Sequence, residues 1–126
     1  MPDAEKTVMK ALVPRVKLWL ELEGDLILGR GGALLLRGID ELGSISQAVK
    51  ALPQDALGEM QSPSYRFAWG YLQKVEKRIG IPVVEKRRGH RKGPGGTALT
   101  PFGKRLLALY EYYEGRLKDV VVTEER

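Results

Sequence analysis

The chain has 126 residues, 43% of them hydrophobic, enough for one domain with its own apolar core. It has no cysteine and one histidine, His90, and no apolar run approaches the roughly 18 residues of a membrane span, which removes disulfides, thiolate metal sites and a transmembrane helix and weighs against histidine-rich metal sites and Ser-His-Asp arrangements. The net charge of +5 is concentrated: between Glu85 and Arg105 seven Lys and Arg face one carboxylate, so the remainder is slightly negative, a near-neutral body with one positive tip.

In chain order, "MPDAEKTVMKAL" lacks the basic end and apolar centre of a signal peptide, so a soluble cytoplasmic protein is expected. "RVKLWLELEGDLILG" predicts a β-hairpin. Val16, Leu18, Leu20 and Leu22 alternate with Arg15, Lys17, Trp19 and Glu21, and "EGD" supplies the turn. Gly29, Gly31 and Gly32 are expected to break the returning strand. "GALLLRGIDELG" then predicts a helix with Leu35, Ile39 and Leu42 on one face, ended by Gly43. "SISQAVKAL" follows at once, with Ser44 and Gln47 as a capping box and Ile45, Ala48, Val49 and Leu52 turned inward.

"PQDALGEMQ" is a polar connection. Ser62 and Pro63 fit the N-cap and first position of the next helix, whose inner stripe is Ala68, Leu72, Val75 and Ile79 and whose end is Gly80. "IPVVEKRR" and "TALT" predict two short strands around the loose tip "GHRKGPGG". Thr100 and Pro101 open a last helix, in which Phe102, Leu106, Leu109, Tyr113, Leu117 and Val120 recur at nearly heptad spacing.

This order defines one domain of mainly α, α+β class. An N-terminal β-hairpin occupies about 14–30, a helix-turn-helix about 31–80, a wing about 81–99, and a long dimerisation helix about 100–122. Three helices followed by a basic hairpin match a winged helix-turn-helix.

In that architecture the helix at 63–79 enters the DNA major groove. Arg66, Gly70, Gln73 and Lys77 share its outer face, with Tyr65 and Trp69 beside them. Arginine donates twice to guanine and glutamine pairs with adenine, while glycine permits close approach. The candidate base contacts are therefore Ser64, Tyr65, Arg66 and Gln73. The candidate phosphate contacts are Lys77 and the wing's Lys86, Arg87, Arg88, Arg91 and Lys92. The plainer readings are a polar outer helix face and a basic loop kept for solubility.

Leu109, Tyr113, Leu117, Val120 and Val121 are the candidate dimerisation residues, since an apolar stripe running past the core is simply buried against a twin. A last helix packed wholly on its own domain is the alternative. "LILGRGGALLL" has Leu34 where a dinucleotide loop needs its third glycine, and "GHRKGPGGT" lacks a phosphate loop's Gly-Lys-Ser/Thr ending. The adjacent carboxylates, Asp40 with Glu41 and Glu124 with Glu125, point in different directions on a helix. No catalytic, metal or cofactor residue is assigned, and no small-molecule effector is identified from the sequence.

"GSISQAVKAL", "SYRFAWGYLQKVE" and "VVEKRRGHRKGPGGTALTPFGKRLLALYEYY" together resemble the DNA-binding domain of the molybdate-responsive transcription regulators, the ModE family, which is distantly similar to LysR-type DNA-binding domains. The resemblance runs from about Pro14 to Val121. It implies a dimeric winged-helix transcription factor, with recognition roles on Ser64, Tyr65 and Arg66 and backbone contacts on the wing. The link at 53–62 is longer than the family's short turn. The chain ends after the long helix, so the family's oxyanion-binding domain and molybdate sensing do not carry over.

The expectation is a homodimeric, nucleoid-associated regulator that binds double-stranded DNA and is not an enzyme. A non-specific chromatin protein and a winged-helix protein-interaction module are the alternatives.

Overall fold

The computed structural model describes residues 2–53, 64–87 and 96–124, the last four of these as backbone alone. The elements are α1 (Asp3–Ala11), β1 (Leu20–Leu22), β2 (Asp25–Leu28), α2 (Arg30–Leu42), α3 (Ile45–Lys50), α4 (Tyr65–Ile79), β3 (Val84–Lys86), β4 (Thr97–Leu99) and α5 (Pro101–Glu124). The fold is thus mainly α with two antiparallel hairpins, each a two-stranded sheet. No helix among the described residues is long and apolar enough to cross a membrane.

The first hairpin turns at Glu23 and Gly24. Both have positive φ, 51° and 89°, as the tight turn that matches strand twist requires. Pairing is confined to Leu20–Leu28, so the strand expected from Arg15 is shorter than the alternation suggested. β2 has only four residues before Gly29 caps α2, and it offers residues 15–19 no partner. α1, which the sequence reading left without a helix, buries none of its side chains.

β2 ends at Leu28, before Gly29 as expected, and α2 begins already at Arg30, so Gly31 and Gly32 lie inside the helix. At Gly32 a Cβ would overlap the Tyr71 hydroxyl, so this glycine admits a neighbouring side chain. Leu35 and Ile39 are buried as expected, but Leu42 is exposed. Gly43, at φ 77°, turns the backbone away before Leu42 meets a partner. The hydroxyl half of the expected capping box is formed: Ser44 Oγ accepts from the Gln47 N–H at 3.0 Å. α3 then packs against α2, and Ile45, Ala48 and Val49 join Leu36 and Ile39 in the core.

Ser62 and Pro63 lie outside the described residues. The N-cap is Ser64, whose Oγ accepts from the Phe67 N–H at 3.1 Å, so the helix expected from Pro63 starts at Tyr65. Ala68, Leu72 and Val75 form its buried stripe, Ile79 is half-buried, and Gly80 ends the helix at φ 82°.

In the wing Val84 faces Leu99, Glu85 faces Ala98 and Lys86 faces Thr97. The ladder extends one step through Arg87 N–H to the Gly96 carbonyl at 2.8 Å, and the Thr97 N–H reaches the Gly43 carbonyl at 2.9 Å. The wing base is therefore joined to the C-terminal end of α2.

α5 turns Leu107 and Tyr110 into the core, one residue away from the heptad stripe read in the sequence. Phe102, Leu106 and Leu117 are half-buried, whereas Leu109, Tyr113 and Val120 face solvent. Arg37 on α2 meets α5 in this rotation. Its guanidinium pairs with Glu111 at 2.7 Å and Glu114 at 3.6 Å, one turn apart on the same side.

Candidate nucleic-acid interface

One broad face of α4 is engaged with the rest of the domain. Ala68, Leu72 and Val75 face the core. Tyr71 and Arg78 face the first hairpin: the Tyr71 hydroxyl donates to the Ile27 carbonyl at 3.3 Å, and Arg78 Nη1 donates to the Leu26 carbonyl at 2.9 Å. Glu76 faces the wing base and accepts from the Val83 and Val84 amides at 2.7 and 3.1 Å. The other face of α4 is exposed, and within it Arg66, Gly70, Gln73 and Lys77 fall in a stripe inside about 60° of arc at 3.6 residues per turn, with Lys74 and Phe67 exposed to one side.

Tyr65 and Trp69 flank this stripe and are about half exposed, at 54% and 43%. Ser64 is also exposed, but its oxygen is occupied by the cap, which leaves its hydroxyl hydrogen to donate to a ligand. A Cβ added at Gly70 would meet nothing within 4 Å, so nothing in this chain's own packing requires glycine there.

Lys86 and Arg87 are exposed at the wing base. The Arg87 guanidinium lies over Gly43, with Nη1 2.7 Å from where a Cβ of that residue would stand, so it also covers the end of α2. Cations are favoured at a helix C-terminus by the dipole. Arg88, Arg91 and Lys92 lie outside the described residues.

Of the candidate dimerisation residues, Leu109, Tyr113 and Val120 are exposed, Leu117 is half-buried, and the Val121 side chain lies outside the described residues. Tyr112 joins them with its ring edge-on to Tyr113, the centroids 5.2 Å apart. Val8, Met9 and Leu12 make a second exposed apolar face at and just beyond α1.

A groove of about 750 Å³ opens between the 14–19 segment, the start of α2 and the second half of α5. Tyr71 and Tyr110 line it. Burial, with a smaller contribution from neighbouring Tyr110, pushes the Tyr71 phenol up to about 12. Burial and then Glu114 raise Tyr110, against the opposing charges of Arg30 and Arg37. The sequence reading found no pocket because its walls come from segments far apart in the chain. The contacts that hold α4 to the first hairpin and the wing base were equally hidden: Glu76 and Arg78 carry no motif, and their partners are backbone atoms outside the helix.

Three consecutive helices with a hairpin returning over them, and a long terminal helix alongside, define a winged helix-turn-helix domain. The chain matches no protein-family model. It is 34% identical over 99 residues to the transcriptional regulator ModE of Haemophilus influenzae, a match covering 79% of this chain and 35% of that one. It is also 34% identical over 96 residues to the DNA-binding transcriptional dual regulator ModE of Escherichia coli K12, covering 76% and 33% respectively. The molybdenum-pterin-binding protein MopB of Rhodobacter capsulatus is 30% identical over 99 residues, covering 79% and 33%. These matches support a ModE-family DNA-binding domain. The chain spans about a third of the length of the curated relatives it matches.

Proposed function

We propose that this chain is a homodimeric DNA-binding transcription regulator. α4 is its recognition helix, with Arg66 and Gln73 on base edges and Ser64 and Tyr65 at the helix entry. Lys77 and the wing residues Lys86, Arg87, Arg88, Arg91 and Lys92 neutralise phosphates. The supporting observation is the division of α4: one face is bonded into the domain, and the exposed face carries Arg66, Gln73, Lys74 and Lys77 around an unobstructed glycine. The regulators to which the chain is related support the same reading.

A pair of such helices reads half-sites about one helical turn apart. The twin subunit packs on the outer side of α5, where Leu109, Tyr113 and Val120 are exposed, and the half-buried Leu117 and the sequence-assigned Val121 are the remaining dimerisation candidates. Base selection by Arg66 predicts that Arg66→Ala costs about 1–3 kcal/mol at one position of the site and flattens preference there. Charge removal on the wing weakens all sequences alike, and each lost phosphate contact lowers the salt slope by about 0.9.

The test is selection from random duplexes followed by titration of selected and scrambled DNA at two salt concentrations. Preference for the selected duplex with a steep salt slope is expected. Equal affinity for both duplexes would make the protein a non-specific DNA coat. No salt-dependent binding at all would remove DNA as the partner and leave a protein-interaction module.

A further inference from the structure

The backbone between the recognition helix and the wing is held from two sides. On the α4 side, one oxygen of Glu76 accepts from both the Val83 and Val84 N–H groups, at 2.7 and 3.1 Å. On the α5 side, the Thr100 hydroxyl donates to the Pro82 carbonyl at 2.8 Å, and the Thr100 N–H donates to the Val83 carbonyl at 3.0 Å. The same hydroxyl oxygen accepts from the Gly103 N–H at 2.9 Å, which places the clamp at the start of α5. A Cβ at Gly103 would overlap the Val83 carbonyl, so α5 approaches this closely because the residue is glycine. Val83 is fully buried, at 0% exposure. Its amide, carbonyl and side chain are thus committed to α4, α5 and the core.

β3 begins at the next residue. The wing therefore leaves the domain from a point whose backbone is bonded to the recognition helix itself. A carboxylate accepting two amides makes charge-assisted bonds, roughly twice as strong as neutral ones. Its negative charge is otherwise a liability on a helix meant to lie against phosphates.

We propose that Glu76 is a positioning residue for DNA binding: through the Val83 and Val84 amides it sets the wing's direction relative to α4, so that helix and wing engage one duplex together. Thr100 holds the opposite side of the same turn. This rests on the DNA-binding reading above. It differs from that reading in assigning wing contacts to an anion that touches no DNA.

The experiment compares wild type, Glu76→Gln, Glu76→Ala and Thr100→Val on a mixed-sequence 40-base-pair duplex across a salt series, with circular dichroism confirming the folded state. Loss of the clamp is expected to reduce the slope of log affinity against log salt by about 2–4 units in Glu76→Ala, although every Lys and Arg remains, because several wing phosphates go uncontacted. Glu76→Gln keeps an acceptor oxygen and is expected to restore most of the slope, and Thr100→Val to lower it in the same direction. A wild-type slope in Glu76→Ala, or tighter binding from mere removal of a negative charge, overturns the proposal. Amide hydrogen exchange of the wild-type protein supplies a reading independent of variant folding and of DNA. Val83 and Val84 are expected to exchange as slowly as the core amides of α4, and exchange at open-loop rates overturns the clamp. A wild-type protein with no salt slope but protected amides would instead defeat the DNA reading alone.

Discussion

Gly70 shows how much one residue of the interface can say. A glycine inside a helix costs roughly 0.5–1 kcal/mol relative to alanine, and no neighbour here stands in the way of a methyl group. Gly70→Ala is therefore expected to raise unfolding stability by about that amount while weakening affinity for the selected duplex, since the methyl stands where the helix meets the groove. Urea denaturation and a binding isotherm on the same preparation check both signs. A variant that is more stable and binds unchanged would show that α4 does not approach a ligand at this point. Gly70 and Arg66 were visible in the sequence, because period and residue type alone put them on the outer face.

Tyr71 was not legible in the same way. Nothing in "WGYLQ" says that its hydroxyl reaches the Ile27 carbonyl, 44 residues away. Its phenol is pushed up to about 12, against an ordinary value of about 10. The neutral phenol is therefore favoured in the folded state. Its contribution is fully present below about pH 10 and is lost as pH climbs toward 12, while the unfolded chain ionises first. That linkage amounts to about 2–3 kcal/mol at most, given 1.36 kcal/mol per unit. Urea midpoints at about pH 9.5 and about pH 11.5 should fall apart in the wild type and lie closer in Tyr71→Phe.

Among the elements, the junctions with local chemistry were readable and the rotations were not. Gly43 followed by Ser44 announces one helix ending and another beginning, and both act as expected. The start of α4 was misplaced by two residues because Ser62 and Ser64 are both acceptable caps, and only the backbone distinguishes them. The core stripe of α5 was misplaced because its apolar residues nearly surround it. Burial of Leu107 and Tyr110 against the rest of the core decides which side turns inward, with the Tyr110 hydroxyl donating to the Leu18 carbonyl at 3.3 Å. The contact of α2 with α3 is equally tertiary: a Cβ on Gly38 would stand 2.9 Å from the Ala48 Cβ. Gly38→Ala should push the helices apart at a cost of about 1–3 kcal/mol, read as a lowered Tm, and Ala48→Gly should recover part of it.

For the molecule as a whole, the proposed dimer would have to present two recognition helices through one shared surface. The outer face of α5 exposes Leu109, Tyr112, Tyr113 and Val120 together, an uncommon amount of apolar surface for one helix to leave in water. Leu109→Glu combined with Tyr113→Glu is expected to convert a dimer to a monomer in sedimentation equilibrium. Both sites are half exposed, at 47% and 46%, so the monomer should keep its helical content. Loss of the second subunit should roughly halve the salt slope, since phosphate contacts add over subunits. A double variant that sediments as the wild type does would place the interface elsewhere, with the exposed face of α1 the next surface to change.

Local chemistry in the chain was sufficient for the order of the main elements from the first hairpin onward, the caps at Gly43, Ser44 and Gly80, the inner stripe of α4 and the concentration of charge at 85–105. Each follows from spacing, turn chemistry or composition within a few residues. Only the folded chain decided which side of α5 is buried, that 71 and 78 face the hairpin, and that Glu76 and Thr100 grip the wing's root. Those outcomes depend on hydrogen-bond partners and packing surfaces brought together from distant segments, where neither periodicity nor residue type carries a signal.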